Sequence, residues 1–285
     1  MPPRSPGTFS GTSVGACCIK TTIMHTTLKI ALMARADIEA ACCLAPYDDL
    51  LRGRLNWHLH TPYAMLLKAE VDGELVGHAC GVLFPGSGWL REVFVLPEYD
   101  TRPIGSELVR NMVERMEETG ASRQLVIAPE QRSMVYTASG FQVDGNLLAY
   151  RNGTFVEATK DEVINLEPEH MLAVLRLDQQ ATGEDRSRLL REHAYLGSVY
   201  MEGTHIRGFS LPLLGHGLIV ADSPEVGLEL QRWLLPIQPY LLMPVGQLAA
   251  HGHLIHCRYH ASPRGIRMVR GVRPDHRPTM IYAHP

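Results

Sequence analysis

The segment from Phe94 to Leu108 constrains the fold of this 285-residue chain more than any other part. An apolar run, Trp89 to Leu96, ends at Pro97 and predicts a buried strand. The helix after it is predicted by four apolar residues at intervals of four: Ile104, Leu108, Met112 and Met116. A helix N-terminus offers unpaired backbone N–H groups and a partial positive charge, so the loop before Ile104 is typical of an anion site.

Hydrophobic patterning and turn residues predict the rest of the first half as a mixed α/β unit at 24–152. Asp72-Gly73 is a hairpin turn, Gly120 ends the long helix, and Gly140 caps a short one. Further strands are predicted at Leu28–Met33, Leu66–Val71, Glu74–Leu83, Arg123–Ala128 and Leu147–Tyr150. Helices are predicted at Arg35–Ala45 and Glu130–Ala138.

A second unit, at 160–285, follows a polar linker placed at 151–169. Glu202-Gly203 predicts a hairpin between strands Val199–Met201 and Ile206–Leu211, about 130 residues after the first hairpin. A strand at Gly217–Ala221 and a helix at Gly227–Leu235 come next. The spacing favours duplication of a domain over a short repeat.

Composition excludes several classes of function. The net charge is −3 and no stretch is strongly basic, which argues against a nucleic-acid binder. No apolar run is long enough to span a bilayer. The six cysteines include no C-x-x-C pair and are expected to be reduced in a cytoplasmic protein. Residues 1–23 are expected to be a disordered tail, or to precede the true start at Met24.

The strand–loop–helix segment resembles the motif with which GNAT N-acetyltransferases bind the pyrophosphate of acetyl-CoA. Val95, Pro97 and Ile104-Gly105-Ser106 fall in register with that motif. Asp100 stands where the family has Arg or Gln, and Pro103 where it has its first Gly, while Arg102 offers a cation. The resemblance implies acetyl-CoA as cosubstrate and the following cofactor-binding residues: Phe94, Val95, Arg102, Pro103, Ile104, Gly105 and Ser106.

A second part of the resemblance is Tyr136-Thr137-Ala138-Ser139-Gly140-Phe141, which matches the family's Tyr-x-x-x-Gly-Phe. It implies that Tyr136 faces the thiol of CoA, where a phenol can protonate the leaving thiolate as general acid. The alternative is a core tyrosine that packs its helix against the sheet.

Glu92 is the first candidate for the base that removes a proton from the acceptor amine. It lies on the predicted strand and shares a face with Phe94. The alternative is a surface salt bridge to Arg91 or Arg123. His78, on the neighbouring strand, is a weaker candidate. In the family's manner, N–H groups exposed by a β-bulge on the Phe94–Val95 strand would hold the thioester carbonyl.

The second half resembles the C-terminal domain of tandem GNAT proteins, through Asp178–Arg186 and Arg267–Gly271. The implied fold is α+β (mixed α/β): two GNAT-like domains, each with a mixed, mostly antiparallel sheet flanked by helices. Two acidic residues and a proline in Ala221–Glu225 predict that the second domain binds no cofactor and supplies structure or one wall of the acceptor pocket.

The expected function is transfer of the acetyl group of acetyl-CoA to a primary amine, with Tyr136 and Glu92 as catalytic residues. The alternative is a non-catalytic acyl-CoA-binding protein. Loops near Asn56-Trp57-His58 are expected to help select the unidentified amine, and a homodimer is left open. His251, His253, His256, Cys257 and His260 offer a rival metal site, with His256 and His260 spaced for one helix face, but no metal is expected.

Overall fold

The computed structural model of the chain describes residues 27–100, 103–154 and 156–285. The predicted tail at 1–23 and Arg102 lie outside these residues. The first half contains β1 (Leu28–Leu32), α1 (Ile38–Leu44), α2 (Leu51–His60), β2 (Ala64–Val71), β3 (Glu74–Phe84), β4 (Ser87–Val95), α3 (Ile104–Glu118), β5 (Arg123–Ala128), α4 (Ser133–Ala138) and β6 (Gln142–Arg151). The second contains β7 (Val163–Asn165), α5 (Met171–Thr182), α6 (Ser187–Glu192), β8 (Ser198–Glu202), β9 (His205–Leu211), β10 (Leu218–Ala221), α7 (Pro224–Leu234), β11 (Leu241–Pro244), α8 (Leu248–His256), β12 (His260–Gly271) and β13 (Ile281–Ala283).

The predicted mixed α/β class, with mostly antiparallel sheets flanked by helices, is confirmed. Two local predictions are wrong. The residues around Trp57 form α2 and not a loop, because a helix that buries only Leu51, Leu55 and His58 has little apolar periodicity. The stretch expected to be a linker contains the short strand β7. No helix in the described part of the chain is both long and apolar enough to cross a membrane.

The strands are not divided between the sheets by halves of the chain. One sheet has the order β1-β2-β3-β4-β5-β12-β6-β11, and the other has the order β13-β10-β9-β8-β7. β12, from the second half, lies between β5 and β6 and pairs antiparallel with both, while β6 pairs with β11. The second half therefore completes the sheet of the first half, while the five-stranded sheet is built from the second half alone.

α3 packs across the first sheet through the apolar face that the sequence predicts. Ile104, Leu108, Met112 and Met116 are at most 1% exposed. Gly88 on β4 makes room for the last of these, since a Cβ there would lie 2.6 Å from Met116 Sδ. α1 and α2 cover the opposite face, where Leu51, Leu55 and Cys80 share one apolar cluster. The sheet is thus held between two helical layers, with β4 at its centre.

Candidate active site

β4 and β5 part in the middle of the first sheet. They pair in parallel only from Ser87–Leu90 to Arg123–Val126, after which β5 continues beside β12. The end of β4, from Arg91 to Val95, therefore has a neighbour on one side alone, which is β3. A parting of this kind leaves backbone groups of β4 without a strand partner.

The direction of these free groups follows from strand geometry. Leu96 N–H donates to Val76 O, at 2.9 Å, and so points towards β3. N–H groups alternate along a strand, so those of Val93 and Val95 point into the gap between β4 and β5. The register of β3 and β4 shifts between Cys80 and Gly81, opposite Glu92 and Leu90, which makes Arg91 the extra residue of a β-bulge. A bulge was predicted on this strand, and it lies at Arg91.

The loop after β4 leads into the N-terminus of α3, which Pro103 precedes. Glu107 N–H donates to Pro103 O at 2.9 Å, and none of the described residues accepts from the N–H groups of Ile104, Gly105 or Ser106. Pro103 has φ −74°, which suits the start of a helix. The nearest atom to a Cβ built on Gly105 is Val95 Cγ2, at 3.9 Å, so internal packing does not require glycine there.

The charge of Asp100 is balanced within this loop region. Arg132, just before α4, lies with Nη2 at 3.3 Å from Asp100 Oδ2. The repulsion that Asp100 alone would exert on a pyrophosphate is therefore reduced. Arg132 was not among the predicted site residues, because an ion pair across 32 positions leaves no local mark on the sequence.

Glu92 lies on β4 directly after the bulge, with a side chain that is 32% exposed. Its carboxylate is 3.5 Å from Arg54 Nη2 on α2 and 3.7 Å from His78 Nε2 on β3. The salt bridge considered from sequence, to Arg91 or Arg123, does not form, since cross-strand and helix neighbours are closer. The contact with His78, and then the charge of Arg54, hold the pKa of Glu92 below its ordinary value despite its burial. Glu92 is therefore a carboxylate at neutral pH.

His78 is fully buried and stacks on Phe94, with ring centroids 5.4 Å apart. Neither ring nitrogen has a hydrogen-bond partner in the described part of the chain. Burial prevents His78 from touching an acceptor directly, so it can act only through Glu92. With Cys80 these two residues bring ligand atoms within 4.8 Å of one another. Burial raises the pKa of the Cys80 thiol, which disfavours the thiolate that metals bind.

Tyr136, on α4, is 6% exposed and packs edge-to-face on Phe141, with ring centroids 5.9 Å apart. It belongs to the same apolar cluster as Val95 and Ile104, which border the gap in the sheet and the N-terminus of α3. Burial raises the pKa of its hydroxyl to about 12. The hydroxyl is therefore protonated throughout the physiological range.

A cavity of about 600 Å³ lies between the two halves, beside Glu92. α2 contributes Trp57 and His58 to its lining, and α6 contributes Leu189 and His193. The remaining lining residues include Arg54, Arg91, Trp89, Arg186, Leu214, Arg264 and His284. The cavity thus has one wall from each half.

Two carboxylates of the second half hold this wall against the first. Glu184 is buried and accepts hydrogen bonds from Ser87 Oγ at 2.6 Å and from Trp89 Nε1 at 2.9 Å. Glu192 accepts from Trp57 Nε1 at 2.6 Å and from the Tyr63 hydroxyl. Glu184, which is buried and has two donors, has a well-defined position, whereas Glu192 is exposed and joins α6 to the first half at the surface.

Residues 33–141 match the model of the acetyltransferase (GNAT) family. These residues form a GNAT domain. They contain the whole of the gap between β4 and β5, the loop that precedes α3, Glu92 and Tyr136. No curated protein matches the chain in sequence.

Solved structures extend the similarity of fold beyond the GNAT domain. A candidate acetyltransferase from Pyrococcus horikoshii is 20% identical, with a TM-score of 0.77, over 90% of this chain and 93% of its own. A tandem GNAT protein from the clavulanic acid biosynthesis pathway is 12% identical, with a TM-score of 0.53, over 87% of this chain and 99% of its own. The glucosamine N-acetyltransferase region of a fungal multi-domain β-N-acetylglucosaminidase is 13% identical, with a TM-score of 0.61, over 87% of this chain and 38% of that one. The similarity of fold therefore covers both halves of the chain, and one of these structures is a tandem GNAT protein.

The histidine-rich segment lies away from the GNAT domain's gap. α8 ends at His256 and His260 begins β12, so these two residues do not share a helix face as their spacing suggested. His251 Nδ1 lies 2.7 Å from the Tyr150 hydroxyl. Within the described ranges, these histidines and Cys257 do not converge as a group of three possible metal ligands.

Arg54, Arg91, Arg186 and Arg264 line the cavity beside the GNAT domain, and sequence reasoning identified none of them as site residues. Arg91 enters the cavity because of the bulge, and Arg264 because β12 crosses into the first sheet. Neither event is visible in local sequence patterns. Trp57 and His58, which were predicted near the acceptor, do line the cavity.

Proposed function

We propose that this protein transfers the acetyl group of acetyl-CoA to a primary amine that binds in the cavity between the two halves. The observation that carries the proposal is the position of Glu92. Its carboxylate lines the cavity, on the strand whose N–H groups face the gap and whose end leads into α3. Amine, thioester and pyrophosphate sites thereby follow one another along a single segment of the GNAT domain.

The pyrophosphate of acetyl-CoA would be held by the N–H groups of Ile104, Gly105 and Ser106. Gly105 suits this role because it has no side chain and the space beside its Cα is not filled by other residues, so a phosphate group can approach the backbone. Arg102 and Arg132 would add positive charge, and Phe94, Val95 and Pro103 would border the pantetheine and phosphate groups. The N–H groups of Val93 and Val95 would bind the thioester oxygen, which gains negative charge as the amine attacks.

The amine must lose a proton to become a nucleophile. A primary ammonium has a pKa near 10.4, so only about one molecule in 2,500 is neutral at pH 7. Direct transfer to Glu92 from the bound ammonium is uphill, because the pKa of Glu92 lies below its ordinary value. Glu92 would therefore take this proton in an unfavourable pre-equilibrium, directly or through water, and the neutral amine would then attack the thioester carbonyl. As the C–N bond forms, the pKa of the nitrogen falls steeply, and its second proton would pass to the sulfur of the departing CoA, while Glu92 later returns its own proton to solvent.

Departure of CoA requires stabilisation of a thiolate. The pKa of a thiol is about 8.5, so full proton transfer from Tyr136, with a pKa of about 12, is unfavourable. We therefore assign Tyr136 as the general acid in a limited sense: its hydroxyl would donate a hydrogen bond to the sulfur while the C–S bond breaks. Its burial in the apolar cluster also fits the alternative, a packing role for the same ring.

A non-catalytic acyl-CoA-binding protein is the second candidate. Two observations favour it: Pro103 offers no N–H group at the start of α3, and Arg132 is shared with Asp100. Such a protein needs neither Glu92 nor a hydroxyl on residue 136. Binding and turnover must therefore be measured separately.

The first experiment is calorimetric titration of the full chain with acetyl-CoA, followed by an assay of CoA release over a panel of amines. Gly105→Trp and Arg102→Ala are expected to weaken binding, whereas Gly105→Ala adds a methyl group that the fold tolerates. Binding that Gly105→Trp abolishes, together with amine-dependent CoA release, supports the acetyltransferase. Binding without release from any amine supports the second candidate, and absence of binding contradicts both.

A further inference from the structure

The lining of the cavity beside Glu92 is rich in arginine. Four arginines line it, and Glu92 is the sole Asp or Glu among its described lining residues. This balance is unusual for a protein whose overall net charge is −3. The four arginines differ in whether an acidic side chain of the protein neutralises them.

Two of the arginines have protein partners. Arg54 binds Asp48 at 2.6 Å and lies 3.5 Å from Glu92, and Arg186 holds Asp178 through contacts of 2.5 Å and 3.0 Å. Arg91 and Arg264 differ. Neither makes a hydrogen bond or an ion pair with any residue in the described ranges, although both line the cavity.

Arg91 points into the cavity for a structural reason. Neighbouring residues on a regular strand face opposite sides of the sheet, so Arg91 and Glu92 should be separated. The bulge at Arg91 breaks this alternation, and both side chains line the same cavity. A cation is thus placed directly beside the predicted base.

The pKa values of three histidines near the cavity are lowered in part by these arginines. Burial lowers the pKa of His58, His216 and His284, and the charge of Arg91 lowers each of them further. His216 also responds to Arg264. These three imidazoles are therefore neutral at physiological pH and add no positive charge to that of the arginines.

His58 lines the cavity, but its acceptor nitrogen is buried away from the open space. Its Nδ1 lies 2.8 Å from the carbonyl oxygen of Arg54, which can only accept, so Nδ1 carries the proton. Nε2 of the neutral ring is then an acceptor, and it is buried without a partner in the described part of the chain. An ammonium group in the cavity would therefore find its acceptor in the carboxylate of Glu92, which is partly exposed there.

We propose that the acceptor is an amine that also carries an anionic group, a carboxylate or a phosphate, and that Arg91 and Arg264 bind this group while Glu92 faces the ammonium. The inference rests on the proposed acetyltransferase function and deepens it. A guanidinium binds either anion through paired N–H donors, which accounts for arginine in both positions. A volume of about 600 Å³ accommodates such a molecule together with water.

The test compares amines in matched pairs that differ only in the anion. Glycine is paired with glycinamide, β-alanine with 3-aminopropanamide, phosphoethanolamine with ethanolamine, and glucosamine 6-phosphate with glucosamine. The readout is kcat/KM from CoA release. For at least one pair, the anionic member is expected to exceed its neutral partner by about 10- to 100-fold, the range of a hydrogen bond to a charged group. Comparison of the carboxylate and phosphate pairs identifies the anion.

Variants connect this preference to the two arginines. Arg91→Gln and Arg264→Gln are each expected to reduce the ratio of anionic to neutral kcat/KM, and the double variant to bring it near one. Arg35→Gln is the matched control, because Arg35 is exposed and no described lining residue of the cavity. Neutral amines that react as well as their anionic partners overturn the inference and leave the acetyltransferase intact. If the protein binds acetyl-CoA but releases CoA with none of the amines, both this inference and the proposed acetyltransferase function are overturned.

Discussion

Replacement of Glu92 by glutamine tests the catalytic proposal most directly, because the structure separates its effect on activity from its effect on stability. The variant keeps the size of the side chain. Arg54 retains both hydrogen bonds to Asp48, at 2.6 Å and 3.1 Å. Loss of the 3.5 Å contact between Arg54 and Glu92, at a partly exposed pair, should change the free energy of unfolding by less than about 1 kcal/mol.

The expected loss of activity is much larger. Removal of a general base lowers kcat/KM by about 10²- to 10⁴-fold, which corresponds to about 2.7–5.5 kcal/mol of transition-state stabilisation. Without this base, the variant can use only the amine molecules that are already neutral in solution. Its kcat/KM should therefore rise about tenfold per pH unit towards the pKa of the amine, near 10.4. The wild-type profile is expected to be flatter, because the wild type can bind the ammonium form of the amine and transfer its proton to Glu92.

The assay is CoA release between pH 6 and pH 9, with acetyl-CoA affinity and thermal unfolding measured on the same samples. Glu74→Gln is the matched control: it removes an exposed carboxylate at the start of β3, outside the cavity. Retention of kcat/KM within about threefold in Glu92→Gln, with a pH profile parallel to that of the wild type, would refute the assignment of Glu92 as base.

Three further predictions concern buried groups. Tyr136→Phe should lower kcat by about 10²-fold or more with unchanged acetyl-CoA affinity if the hydroxyl assists departure of the thiolate, whereas equal kcat would leave only the packing role. His78→Phe removes the contact that lowers the pKa of Glu92, so that pKa should rise, and the acid limb of the kcat/KM profile should move to higher pH; an unmoved limb contradicts the coupling. Burial lowers the pKa of His284 to about 3, below the value near 6.5 of an unfolded chain, so the unfolded state binds a proton first as the pH falls. Between pH 7 and pH 5 the wild type should therefore lose about 2 kcal/mol more unfolding free energy than His284→Leu, measured by urea titration.

The sequence predicts those parts of the site that are contiguous along the chain. The strand, the Pro-terminated loop and the start of α3 are adjacent residues, and their periodicity and turn chemistry are local properties. α2 was missed because its buried face includes a histidine and only two leucines. Arg132 was missed because its contact with Asp100 depends on the fold.

The cavity beside Glu92 could not be predicted, because long-range pairing of the strands creates it. β12 begins more than a hundred residues after β6 and still lies between β5 and β6, which brings Arg264 to the cavity. Such pairing depends on contacts that no sequence window contains.

The position of β11 and β12 in the first sheet also bears on the proposed division into domains at 152 and 160. A chain cut there would lack β12, so β5 and β6 would lose the strand that joins them, and β6 would also lose β11. The cut would further remove Glu184 and leave Ser87 Oγ and the indole N–H of Trp89 without their acceptor. A GNAT domain in this chain is therefore a unit of sequence similarity more than a unit of folding. The second half is needed to complete the sheet that positions Glu92, whether or not it ever binds a cofactor.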